Sequence, residues 1–562
     1  MGSFPSFLGV QSVGAILPAD MLGKIGGQRG VEGLNPTSYH LAQGERLGEA
    51  VTRSWNRIAG LWAGFRDAVA KLPEGDPATT VTRERLLLPL FQELGYGRLQ
   101  TTKALEIDRR SYPISHAWHH VPIHMVGYRV SLDRRTKGVA GAAAQSPHSL
   151  MQELLNRSPE RLYGLISNGS TLRLLRDNNS LTRSAYVEFD LAAIFDNDLY
   201  SDFFLLWLVC HESRFSADPV EECWLERWSQ QAANEGTRAL DDLRKGVETA
   251  ITALGRGLLA NPSNAALHDR LRAGSLTDQE FYRQILRCVY RLIFIFVAED
   301  RDLLLDVKAN SEAQERYHKF YSSRRLRDLA GRIAGTRHSD LWAQLNVVFR
   351  ALGSVDGALG LGLPGLGSFL WSQQAVKDLA DASVSNADLC SAVRALAFVT
   401  KGGLRRPIDY RNLGSEELGS VYESLLELHP KIQIDATAHA DRFALQTVAG
   451  HERRTTGSYY TPRELVSSLL DTALDPVLDE AARTPEPEAA ILSLKVCDPA
   501  AGSGHFLISA AHRIAKRLAS VRSGDEEPSP PVLRHALRDV VSRCLYAVDA
   551  NPMAVELCKV AL

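Results

Sequence analysis

The sequence predicts a multidomain chain of α/β and α character. An α/β unit comes first, an all-helical domain lies in the middle, and the start of a doubly wound, Rossmann-like domain comes last. Three observations carry this. Within 80–215 the apolar residues change from helical spacing to alternation. The stretch 280–300 is apolar on nearly every helical face. Near the end, a strand, a glycine turn, a helix and a second strand tipped by an acid follow one another. At 562 residues the chain is also too long for a single core.

The elements follow in order. Residues 1–40 are rich in Gly and Pro and read as an extended lead-in. A helix follows over 47–72, with Trp55, Ile58, Leu61, Trp62 and Phe65 at helical spacing, so 1–79 is lead-in and helix. "TRERLLLPLFQELGYG" (82–97) opens the 80–215 unit as another helix. "VPIHMVGYRVSL" and "YGLISNGSTLRLLR" then read as strands, the second a hairpin around Asn168-Gly169. "SAYVEFDLAAIF" is a strand leading into a helix. From 216 to 450 the reading is almost all helix, with a buried central helix over 280–300. A Gly-rich loop lies at 351–367 and a closing amphipathic helix, "LGSVYESLLELHP", at 418–430. The third unit is 451–562.

Composition sets bounds. Hydrophobic content of 45% and charged content of 23% are those of a globular protein. A net charge of -2 means that any basic surface is local. Seven cysteines without CxxC spacing point to a reducing cytosol and against a zinc ribbon. The longest apolar runs, such as Phe203–Cys210, fall short of the ~20 residues that span a bilayer. No signal peptide is read, so a cytoplasmic location without a membrane partner is expected.

In the third unit "ILSLKVCD" (491–498) reads as a strand and "GHFLISAAHRIAKRL" as a helix, with Gly502-Ser503-Gly504 between them. Glycines at such a turn let a ligand approach the backbone, and the helix N-terminus favours negative charge. A second strand, "CLYAVD" (544–549), ends in Asp549, where a doubly wound sheet places the acid that binds ribose hydroxyls. A bare Gly-x-Gly is more often only a tight turn; the whole succession outweighs that reading. Upstream, Thr461-Pro462-Arg463-Glu464 is a helix start, with Thr at the N-cap, Pro at the first position and Glu at the third.

These residues resemble a known family. Asp498-Pro499-Ala500-Ala501-Gly502-Ser503-Gly504 resembles motif I of S-adenosylmethionine (SAM)-dependent methyltransferases. Gly457-Ser458-Tyr459-Tyr460-Thr461-Pro462 resembles motif X of amino-methylating DNA methyltransferases, and "YAVDANPMAVELCKVAL" resembles their motif II. "RLIFIFVAEDRDLLL", "LGSVYESLLELHP" and "YGLISNGSTLRLLR" resemble blocks of the large adenine-N6 DNA methyltransferases of type IIG restriction–methylation systems. They also resemble the related DISARM and BREX phage-defence methyltransferases.

The resemblance implies SAM as cofactor, double-stranded DNA as substrate, and other subunits of a phage-defence system as partners. It places Tyr459, Tyr460, Thr461 and Pro462 at the methionine end of SAM. Asp498, Pro499, Ala500, Gly502, Ser503 and Gly504 would form the turn beneath it, with Phe506 anchoring the helix. Asp549 would take the ribose hydroxyls and Met553 would lie against adenine. Asp498 and Asp549 stand farther apart than the ~20 residues of a dinucleotide fingerprint, with "SGDEEPSPPV" and a helix over 532–543 between them.

Amino methylation further needs an Asp/Asn-Pro-Pro-aromatic loop. The near match, Ser529-Pro530-Pro531-Val532, lacks the aromatic and reads as a linker. The catalytic loop is therefore expected beyond Leu562, and 1–562 alone is expected to be inactive, with an uncovered edge on its last strand.

The resemblance also implies a nuclease-like fold for 80–215. Where an E-x-K is expected the sequence reads Ser131-Leu132-Asp133, so a lost metal site is expected, with Asp108 and Asp133 as leftovers. Asp306-Val307-Lys308 falls in a different region. His116, His119, His120 and His124 have partial metal spacing, but Pro122 breaks any helix there. Basic runs at Arg109-Arg110, Arg134-Arg135, Arg324-Arg325, Arg405-Arg406 and Arg453-Arg454 are candidates for phosphate contacts, and sequence does not choose among them. Three readings follow: a self-marking DNA adenine-N6 methyltransferase of phage defence, a type IIG enzyme with an active nuclease, and a SAM-responsive DNA-binding subunit.

Overall fold

The computed structural model describes residues 7–14, 16–177, 185–306, 308–401, 404–408, 410, 428–435, 437–439, 442–447, 461, 463–550, 554–555, 558–559 and 562. The chain divides into two units. One comprises Met1–Glu235, Ser467–Val496 and Ser509–Leu545; the other comprises Gly236–Val466, Cys497–Ile508 and Tyr546–Leu562.

The strands of the first unit up to residue 190 are β1 (Val10–Val13), β2 (Leu105–Ile107), β3 (Arg110–Tyr112), β4 (His116–Trp118), β5 (Val121–Met125), β6 (Tyr163–Ser167), β7 (Thr171–Arg176) and β8 (Tyr186–Asp190). β2 and β3 form a hairpin, and the others form a six-stranded sheet in the order β1-β8-β7-β6-β5-β4. Only β5–β6 is parallel; the other pairs are antiparallel. A parallel pair needs a crossover, and the helix Pro147–Asn156 lies on it. Ser146 caps that helix by accepting the Ser149 N–H at 3.1 Å. β5 and β6 are buried throughout, and their polar residues His124 and Ser167 are buried with them.

The β6–β7 hairpin turns at Asn168-Gly169 as the sequence indicates. The Asn168 side-chain oxygen accepts the N–H groups of Ser170 and Thr171 at 3.1 and 2.9 Å, and Gly169 has φ +84°. The strand read through Leu132 stops at Met125. Gly127 passes so close to the Pro77 carbonyl that a Cβ has no room, and the chain turns away. The lead-in also differs from its reading: β1 pairs with β8, Val10 opposite Phe189, and Ala19–Gly26 is a helix. Residues 33–39 are held by the buried guanidinium of Arg214. It donates to the Gly33 carbonyl at 2.8 Å and lies 3.8 Å from the Tyr39 ring centre.

The same unit holds the helices Asp475–Ala482, Pro487–Ser493 and Pro530–Arg543. Two readings change here. "ILSLKVCD" is not one strand, because Pro487 starts a helix whose apolar residue Ile491 is buried; only Val496–Asp498 is extended. Ser529-Pro530-Pro531 is not a linker, since Pro530 is the first residue of a helix, where the missing N–H costs nothing. The charged stretch before it is docked. Asp525 pairs with Arg135, and Glu526 pairs with Arg157 at 2.5 Å and also with Arg110. The Asp525 side chain is only 5% exposed.

In the second unit the helix Asp278–Asp300 is central, with Phe281, Ile285, Val289, Leu292 and Phe296 buried. Thr277 caps it by accepting the Glu280 N–H at 3.2 Å. Its last turn explains the Glu299-Asp300 pair. Buried Glu299 accepts the N–H groups of Ser323 and Arg324 at 2.6 and 2.9 Å and the Tyr317 hydroxyl. Asp300 takes Arg327 in two bonds of 2.9 and 2.6 Å. Together they seat the helix Ser323–Arg332.

This region is not all helix. Among the described residues it also carries the hairpins β9 (Phe398–Lys401) with β10 (Leu404–Pro407) and β11 (Leu428–Ile432) with β12 (Phe443–Thr447). "LHP", read as the end of a helix, is the start of β11, and 418–427 lie outside the described residues. No described helix is long and apolar enough to cross a membrane.

Candidate functional site

Two short strands frame the site: β13 (Val496–Asp498) and β14 (Leu545–Ala547). The Val496 N–H donates to the Cys544 carbonyl at 2.8 Å, and the Val548 N–H to the Asp498 carbonyl at 2.9 Å. Partners rise together along both strands, which is the parallel sense. Parallel neighbours bring both strand ends, and so Asp498 and Asp549, to the same edge.

Between β13 and the helix His505–Ser523 the chain makes the glycine turn. Asp498 accepts the Ala500 N–H at 3.0 Å, which starts the turn after Pro499. The Ala501 N–H reaches the Val548 carbonyl at 3.0 Å. The Gly502 N–H reaches the Asp549 carboxylate at 2.8 Å. The long separation of Asp498 from Asp549 in sequence is thus closed in space, because the intervening segment is a docked loop and a helix rather than a spacer.

Each glycine has its own reason. Gly502 has φ +54° and no atom within 4 Å of where a Cβ would stand, so its backbone faces open space that a ligand can approach. Gly504 has φ +89°, and a Cβ there would meet Cys558 Sγ at 2.8 Å. Cys558 is buried under the turn. Burial, then the nearby Asp498 and Asp549 carboxylates, push its thiol up to about 11, so it stays protonated and packs as an apolar group. A lone Cys in "AVELCKVAL" carries no sequence signal for the packing role of Cys558.

Ser503 is half-buried at the tip of the turn, and Phe506 is half-buried beside buried Leu507 and Ile508. The first N–H groups of the helix after Gly504 lack intrahelical acceptors and point toward the turn. Thr461 lies two residues before the helix Arg463–Ala473, and no hydrogen bond among the described residues joins it to the turn. Tyr459, Tyr460, Pro462 and Met553 lie outside the described residues. The structure therefore brings together Asp498, Gly502, Gly504 and Asp549. Tyr546 in the second strand and Val548 just beyond it are 50% and 57% exposed.

The α/β unit has its own charged cluster. Asp133, in a loop rather than on a strand, is bound by Arg173 through two bonds of 2.9 and 3.2 Å. Arg173 also reaches Glu188 at 2.8 Å and His148 at 2.8 Å. A guanidinium thus fills the space between the two carboxylates. Asp108 sits in a left-handed turn at φ +49°, 3.8 Å from Arg157. Among the histidines, His124 faces the Gly141 carbonyl at 2.9 Å and His120 the Phe215 carbonyl at 3.1 Å. Among the described residues no group of three or more His, Cys, Asp or Glu is placed to hold a metal ion.

Residues 432–562 match the family model of the N-6 DNA methylases. That stretch contains the turn, both strands and Asp549. A similar solved structure is the type IIL restriction-modification enzyme MmeI in complex with DNA, 15% identical with a TM-score of 0.29. The match covers 56% of this chain, which spans 35% of the length of MmeI. No curated protein matches the chain.

Proposed function

We propose that the chain is the cofactor-binding part of a SAM-dependent DNA adenine-N6 methyltransferase that marks host DNA in restriction–modification or phage defence. The observation that carries the reading is the Gly502–Asp549 hydrogen bond within the stretch similar to N-6 DNA methylases. It joins a strand-tip acid, an acceptor for ribose hydroxyls, to a glycine turn whose backbone opens on free space where a zwitterionic tail can approach. Bound there, SAM would supply the methyl group. Asp549 would orient the ribose hydroxyls, Gly502 would let the ligand reach the backbone, and Asp498 would hold the turn's shape. Transfer to a flipped adenine would fall to an Asp/Asn-Pro-Pro-aromatic loop, which is absent from these 562 residues.

Calorimetry with SAM on the full chain tests this. Asp549→Ala is expected to weaken binding at least tenfold, and Gly502→Val to abolish it, because a side chain there fills the open space at a positive φ. Equal affinity in wild type and both variants would sink the assignment.

A further inference from the structure

The structure narrows the basic runs that the sequence leaves undecided, although Arg109 and Arg134 stay exposed beside their occupied neighbours. Arg110 and Arg135 are occupied by Glu526 and Asp525, and Glu153 also faces Arg110 at 2.5 Å. Arg405 donates to the Gly331 carbonyl at 3.1 Å. Arg453-Arg454 lie outside the described residues. Arg325 likewise reaches the Phe320 carbonyl and the Gln344 side-chain oxygen, both at 3.4 Å, so what sets Arg324-Arg325 apart is the cations beside them. Together with Lys319 and Arg332 they line an open cleft of about 530 Å³, and none of the four forms an ion pair among the described residues.

We propose that this face of the helix Ser323–Arg332 is where the phosphate backbone of duplex DNA lies. The inference rests on the DNA reading above and names the surface that would carry it. The helix is seated before any ligand arrives. Glu299 takes the N–H groups of Ser323 and Arg324, and Asp300 takes Arg327 on the inward side. Recognition therefore falls to side chains, since the helix N-terminus already has its acceptor. Arg324 and Arg332 are exposed two helical turns apart, about 12 Å along the axis. At about 3.4 Å of duplex axis per phosphate, that span covers roughly three phosphates of one strand.

Lys319 lies 5.4 Å from the centre of the Phe320 ring, which is 49% exposed. Two carboxylates, Asp302 and Asp328, also line the cleft, so cations outnumber acids two to one. Asp328 sits between Arg324 and Arg332 in the helix and forms no ion pair with either. The cleft keeps an excess of positive charge in a chain of net charge -2, and an anion lying there would lower the repulsion among its cations. A duplex, with its regular row of charges, suits the linear spacing of the arginines.

The test is fluorescence anisotropy of the full chain with a labelled duplex of arbitrary sequence over a series of salt concentrations. Arg324→Ala/Arg332→Ala is expected to weaken binding equally for different sequences. It should also lower the slope of log affinity against log salt by about 2, close to 0.9 per lost phosphate contact. Lys319→Ala should lower the slope by about 1, and Arg324→Lys/Arg332→Lys should retain it. Thermal unfolding of each variant checks that the fold is kept. If wild type binds the duplex and the alanine variants bind with the same affinity and slope, the surface is wrong. If the lysine variant loses as much as the alanine variant, charge is not what the surface contributes, and the proposal also falls. If wild type binds no duplex at any salt concentration, the DNA reading fails and takes this surface with it.

Discussion

Gly504→Ala is the sharpest probe of how the candidate site is built. Two separate costs arise. At φ +89° an L-residue sits in left-handed backbone space, which costs roughly 1–2 kcal/mol. The new methyl group would also stand 2.8 Å from Cys558 Sγ, well inside contact, with Cys558 Cα and Cβ at 3.5 and 3.6 Å behind it. Overpacking of this kind costs about 1–3 kcal/mol. The sum is about 2–5 kcal/mol against a typical margin of about 5–15 kcal/mol. Cys558→Ala removes the sulfur but not the backbone strain. By itself it should cost about 1–2 kcal/mol for a small buried group. In the double variant the clash is gone, so the two changes should be less than additive by the clash itself, about 1–3 kcal/mol. Urea unfolding of the four proteins, followed by circular dichroism, measures this cycle. Strict additivity within about 0.5 kcal/mol would show that Cys558 does not pack under the turn and that only conformation demands the glycine.

Two more outcomes are expected. Burial, then the Arg173 charge, hold His148 at about 3. Burial likewise lowers His211 to about 3 and His116 and His124 to about 4, against about 6.5 unfolded. Stability from these neutral rings is therefore full above pH 6.5 and lost as pH falls toward 4, so the free energy of unfolding from urea titrations should drop by more than about 2 kcal/mol between pH 7.5 and 5; an unchanged value would refute it. Limited proteolysis should spare 524–529 in wild type and cut there in Asp525→Ala/Glu526→Ala, because the paired carboxylates hold that loop down; first cleavage of wild type within 524–529 would show that the loop is loose.

What was legible in the sequence was local. The 168–169 turn, the buried helix over 280–300 and the glycine turn at 502–504 depend on neighbours within a few residues. Misread elements were those whose cause lies elsewhere in the chain or in an ambiguous run. β1 needs β8 to be a strand at all. Ile491 suits helix or strand equally, and Pro487 decides. Gly402-Gly403 between Lys401 and Leu404 is a hairpin signal that the helical pattern around it concealed. In the site, the residue types at 498, 502 and 504 were readable, whereas Cys558 beneath them was not, since packing leaves no spacing rule. The docking of Asp525 and Glu526 was invisible for a similar reason: a charged, Pro-rich stretch looks solvated until its arginines are found.

The pairing of β1 with β8 also has a consequence for how the chain is made. Val10 is translated well ahead of its partner Phe189. At roughly 5–20 residues per second the wait is on the order of ten seconds or more. During that interval the first strand has no ladder to join, and Tyr39 waits equally for Arg214. The hairpin of β6 and β7 joins adjacent segments, whereas β1 can be tied in only once β8 has been made, which leaves it on the edge of the described sheet.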